Sequence, residues 1–103
     1  MRVTVTSDAA EFVVARGGQL WVWAARPRMC CAGAPALMRA DTSQPVGVTG
    51  FAQVPASATP AGIAVHFRGS GGTSPDVLEI AIEGKRHPKV AAYWDGCQMA
   101  MVT

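Results

Sequence analysis

The sequence predicts an α+β domain, predominantly β, with one short helix near its start. Three observations carry that expectation. Several segments alternate apolar and polar residues at the period of a half-buried strand. One amphipathic stretch, carrying an N-cap residue at its start, runs into a glycine pair. The composition, 50% apolar and 16% charged over 103 residues, suits a single folded domain spanning 1–103 and argues against a disordered chain.

The elements follow in order. Arg2 to Thr6 sets Val3 and Val5 against Arg and Thr, which reads as a strand. Ser7 is a natural N-cap, because its hydroxyl can accept an orphan backbone N–H. Asp8 and Glu11 then sit where the helix dipole favours negative charge, and Arg16 sits at the opposite end. Ala9, Phe12 and Val13 share one helix face, and Gly17-Gly18 ends the helix. Gln19 to Ala25 returns to strand chemistry, with Leu20, Val22 and Ala24 on one side and Trp21 and Trp23 on the other. Two apolar faces imply a strand covered on both sides. The two tryptophans are expected in the core; exposed, they would mark a partner surface.

Arg26-Pro27 breaks that strand, and Met29-Cys30-Cys31-Ala32-Gly33 reads as a turn. Ala34 to Arg39 has the composition of one helical turn, kept short by Pro35. Val48 to Val54 reads as a weaker strand ended by Pro55, with loop from Ala56 to Pro60. Gly62 to Arg68 alternates cleanly, Ile63, Val65 and Phe67 inward and Ala64, His66 and Arg68 outward. Gly69 to Pro75 is a glycine and serine loop. Val77 to Glu83 repeats the alternation, with Leu78, Ile80 and Ile82 opposed to Glu79 and Glu83. A turn at Gly84-Lys85 leads past Pro88 to Tyr93-Trp94-Asp95-Gly96, itself a turn signal. Cys97 to Val102 reads as a last strand.

Charge and composition exclude several functions. A net charge of +2, with basic residues scattered except for Lys85-Arg86-His87-Pro88-Lys89, falls short of the basic stripe that phosphate binding needs. No nucleic-acid partner is expected. The longest apolar run, Leu20 to Ala25, is far shorter than the ~20 residues that span a bilayer. No apolar leader follows Met1-Arg2, so a reducing cytoplasm and no membrane association are expected. No nucleophile elbow, P-loop, dinucleotide-binding glycine motif or zinc-protease motif occurs, and the chain reads as non-enzymatic.

Three cysteines cannot all pair within one chain. Cys30 and Cys31 are adjacent, with Cα atoms about 3.8 Å apart, closer than the roughly 4.4 Å at which relaxed disulfides begin. In a turn they are candidate soft-metal ligands. Cys97 shares a strand face with Met99 and Met101, a stripe that reads as core or as a Cu(I) site. Should the last strand approach the cysteine turn, Cys30, Cys31 and Cys97 would offer three sulfurs, with His66 or His87 as a fourth ligand. Each histidine taken alone reads as solvated.

The run Val5-Thr6-Ser7-Asp8-Ala9-Ala10-Glu11, the turn Cys31-Ala32-Gly33 and the stretch Tyr93-Trp94-Asp95-Gly96 resemble the HesB-like proteins, the A-type iron–sulfur carriers. In that family the cysteine of the turn is the first cluster ligand, and the remaining two come from a C-terminal Cys-Gly-Cys. Here the last residues are Met99-Ala100-Met101-Val102-Thr103, so only Cys31, with Cys30 beside it, carries over. The resemblance implies a HesB-like twisted β domain with one short N-terminal helix. The residues themselves add the expectation of an iron–sulfur cluster or metal at Cys30, Cys31 and Cys97, bridged within a homodimer because one chain offers too few thiolates for four-cysteine ligation. The alternative is a metal-free protein-interaction domain of the same fold, using the Trp21 and Trp23 face.

Overall fold

The computed structural model describes residues 1–25, 36–68, 75–84, 86–95 and 99–100. Among them the chain is β-rich with a single α-helix, the α+β class expected. The elements are β1 (Arg2–Val5), α1 (Ser7–Ala15), β2 (Gln19–Ala25), β3 (Ala36–Asp41), β4 (Ala52–Gln53), a 3-10 turn at Ala56–Ala58, β5 (Ala64–Arg68), β6 (Val77–Glu83), β7 (Lys89–Trp94) and β8 (Met99–Ala100).

The strands form two sheets, one ordered β1-β6-β7 and one ordered β4-β5-β2-β3-β8. In each sheet one parallel pair joins distant parts of the chain, β1 with β6 and β2 with β5. The remaining ladders are antiparallel. The sheets approach where β7 passes β3, with no ladder between those two strands among the described residues. A cleft of ≈ 300 Å³ lies along this seam, between Met38 and Ala40 on one side and Val90 and Ala92 on the other.

Alternation puts one side of each sheet into a common core. Leu20, Val22, Val65 and Phe67 from the larger sheet meet Val3, Leu78, Ile80, Val90, Ala92 and Trp94 from the smaller. Phe67 and Trp94 touch across the two sheets, ring centroids 6.2 Å apart and tilted by 45°. Helix α1 packs against β6 and β2, burying Ala9 and Val13 completely. Burial of a side chain such as Val13 contributes about 1.5–3 kcal/mol, which helps to join the helix to the sheets.

The helix starts one residue earlier than its sequence suggests. Thr6, in extended conformation, is the N-cap, and its hydroxyl accepts from the Ala9 N–H at 3.3 Å. Ser7 is the first helical residue, because β1 already ends at Val5 although the Thr6 N–H still reaches the Ile80 carbonyl. The C-terminus closes as expected: the Gly18 N–H bonds the Val13 carbonyl and the Gly17 N–H the Val14 carbonyl, a Schellman pair. Arg16 lies over the Phe12 ring at 4.3 Å instead of in the last turn.

Three expectations are corrected. Residues 36–39, read as part of a helical turn, belong to β3, since a five-pair ladder with β2 outweighs the local helix propensity. The strand expected over Val48 to Val54 shrinks to Ala52–Gln53, with the Val54 N–H adding one bond to Val65. Gly47 and Gly50, both at positive φ, turn the chain before it. Lys89–Trp94, read as connection and turn, is a six-residue strand in full register with β6. Its alanines Ala91 and Ala92 fall on opposite faces and erase the alternation that would have revealed it. The turn signal itself holds at Asp95, which has φ 47°. Its carboxylate accepts the Val77 N–H at 2.9 Å, while its own N–H bonds the Val77 carbonyl.

Candidate functional site

Strand β2 faces two ways. Leu20 and Val22 are fully buried, whereas Trp21 and Trp23 are half-buried on the opposite side of the sheet. The tryptophans therefore lie outside the core cluster, contrary to the expectation for them, and the core is filled instead by Trp94. Their neighbours are fixed by the ladders. Trp21 stands opposite His66 on β5 and Asp41 on β3; Trp23 stands opposite Arg68 and Arg39 on the same two strands. Gln53 on β4 follows His66 at the edge.

Side chains join these positions. The Trp21 and His66 rings are stacked, centroids 4.9 Å apart and planes 16° apart. The His66 Nε2 lies 2.8 Å from the Gln19 Oε1, so Nε2 carries the proton and donates to the amide oxygen. Phe51, just before β4, meets Trp23 edge to face at 6.2 Å. The Trp21–His66 separation matches the spacing of about 4.8 Å between neighbouring strands. The two rings thus stack face to face on neighbouring strands.

Charge on this face is uneven. Arg39 and Arg68 are exposed. Asp41 is held locally, its Oδ1 accepting from the Ser43 N–H at 3.2 Å and the Ser43 hydroxyl at 3.4 Å. At the Gln19 end a cleft of ≈ 370 Å³ opens among Gly17, Gly18, Gln53, Thr59 and Gly62. The Ala64 N–H bonds the Gly18 carbonyl at 2.8 Å, and a Cβ on Gly18 would lie 2.9 Å from the Gly62 carbonyl oxygen.

Cys30, Cys31 and Cys97, the residues the sequence singles out as cluster or metal ligands, lie outside the described residues, as does Met101. Met99 is in β8. Of the other candidate ligands, His66 is engaged with Gln19 and Trp21, and His87 is exposed in the turn before β7. Among the described residues no three His, Cys, Asp or Glu side chains gather as metal ligands do. No described helix is long and apolar enough to cross a membrane. No family model, curated protein or solved structure matches this chain.

The trio Gln19, Trp21 and His66 is what a reading of the sequence misses. Alternation places Trp21 and His66 on the outward sides of their strands, but the parallel pairing of β2 with β5 across 47 residues leaves no local trace.

Proposed function

We propose that this chain is a non-enzymatic, metal-free protein-interaction domain that docks a partner on the outer face of its larger sheet. One observation carries the reading: Trp21 and Trp23 stand on the side of the sheet away from the core, ordered by ring contacts to His66 and Phe51 and flanked by Arg39 and Arg68. Tryptophan and arginine are the residue types that most often dominate binding energy at protein interfaces. A ring already held by its neighbours loses little freedom on docking. The module acts in the cytoplasm on this reading. It is tested by selecting peptides from a random display library on the folded protein. Enriched peptides are expected to bind the Trp21→Ala/Trp23→Ala double variant at least ten-fold more weakly, with far-ultraviolet circular dichroism unchanged. Equal binding to both proteins, or no enrichment, removes the reading.

A second reading is iron–sulfur cluster or soft-metal binding through Cys30, Cys31 and Cys97, in line with the resemblance to HesB-like proteins. The adjacent thiols of the Cys30-Cys31-Ala32-Gly33 run, soft donors suited to such a group, support it. Anaerobic reconstitution with iron and sulfide should give visible absorption and bound metal that the Cys30→Ala/Cys31→Ala variant lacks. Identical spectra for the two proteins eliminate it.

A further inference from the structure

Resting on the interaction reading, we infer that the outer face of the larger sheet recognises an acidic protein segment, an apolar side chain seated at Trp23 with carboxylates on either side. The ladders set the geometry. Arg68 and Arg39 are the register partners of Trp23 on β5 and β3, so the three form one row across the sheet, cation, indole, cation. With strands about 4.8 Å apart, the two arginine Cα atoms are separated by about 10 Å. An extended segment rises about 3.3 Å per residue. Successive side chains point to opposite sides, so the carboxylates that share the apolar residue's side lie two positions before and after it, about 13 Å apart, within reach of both long arginine side chains.

Charge complementarity selects the partner's sign. Both arginines are exposed, and no ion pair for either is seen among the described residues. The carboxylate on the neighbouring row, Asp41, already accepts two hydrogen bonds from Ser43. Guanidinium groups bind carboxylates through paired N–H donors, which fixes orientation as well as sign.

Ring orientation separates this partner from a nucleic acid. A single strand docks by laying bases on open aromatic faces. Here one face of Trp21 is taken by His66, and Trp23 is engaged by Phe51 at an interplanar angle of 86°. The register partners of Trp23 are two guanidinium groups, which pair with carboxylates through matched N–H donors.

The test is fluorescence anisotropy with four labelled probes: a peptide repeating Glu-Ser-Leu-Ser, which puts Glu and Leu on one face (the Glu–Leu peptide), its Lys and Leu and its Glu and Gly counterparts, and a twelve-nucleotide thymidine strand. The Glu–Leu peptide is expected to bind at least ten-fold tighter than the other three and to weaken as salt rises. The double variant Arg39→Gln/Arg68→Gln, whose changes are at exposed positions and leave the core untouched, should bind it at least ten-fold more weakly and flatten its salt dependence. Tighter binding of the thymidine strand, an equal response to the Lys–Leu peptide, or Glu–Leu binding that ignores both arginines overturns the inference. Peptide binding lost in Trp23→Ala but kept in Arg39→Gln/Arg68→Gln overturns the acidic partner alone and leaves the docking face standing. A face at which no probe responds to either variant overturns both.

Discussion

His66 does two things that no other described side chain does: it covers one face of Trp21 and it donates to Gln19. An aromatic pair of this kind contributes about 0.5–1.5 kcal/mol beyond its buried area. His66→Ala should accordingly lower stability by about 1 kcal/mol and weaken the near-ultraviolet circular dichroism of the tryptophans. His66→Phe, which keeps a ring but cannot donate to Gln19, should restore most of both signals. Urea unfolding with parallel spectra reads the two variants. A histidine variant indistinguishable from wild type by both measures would show that the stack does not order Trp21. Gly18 belongs to the same scale. Its φ of 77° and the Gly62 carbonyl at 2.9 Å from an added Cβ leave no room for a side chain. Gly18→Ala should cost about 1–3 kcal/mol, seen as a lower melting temperature, whereas Gly47→Ala, with nothing within 4 Å, should pay only for its backbone conformation. The Gly18 variant melting no lower than the Gly47 variant would contradict the close approach of β2 to β5.

Elements were legible in the sequence where alternation was clean and where caps were strong. β1, α1, β2, β5 and β6 are all read from local residues, because Val, Leu and Ile alternate with polar partners and Gly17-Gly18 can only stop a helix. The misread elements share a physical cause. β7 carries Val90-Ala91-Ala92, whose small side chains are all buried regardless of face, so burial leaves no period in the sequence. Residues 36–39 favour a helix when alone and become strand because β2 offers a ladder. The outer-face site was half legible. Trp21, Trp23, His66 and Arg68 were each assigned the side of the strand on which they lie. That β2 and β5 are neighbours depends on a parallel pairing between distant segments, which no window of sequence contains. The choice between core and surface for the tryptophans failed for the same reason: alternation says that β2 has two apolar faces but not which one the second sheet covers.

At the scale of the molecule the question is whether the two sheets behave as one body, since a docking face on one sheet is only as stiff as its attachment to the other. β3 and β7 approach without a ladder between them. Their joining rests on side chains: the Phe67–Trp94 contact, Met38 near Val90 and Ala92, and α1 packed against both β6 and β2. Those contacts form a single buried cluster that draws on both sheets, and apolar burial is the dominant favourable term in folding. Leu78, fully buried on β6 in the smaller sheet, is the position to perturb. Leu78→Ala should lower global stability by about 2–5 kcal/mol. If the cluster makes the sheets cooperative, amide hydrogen exchange at Val22 and Val65 in the larger sheet should accelerate by the same free energy as at Ile80 beside the mutation. Acceleration confined to β1, β6 and β7 would instead mean that the sheets open separately. The Trp21–Trp23 face would then owe its order to its own ring contacts alone, and His66→Ala, not Leu78→Ala, would be the change that loosens it.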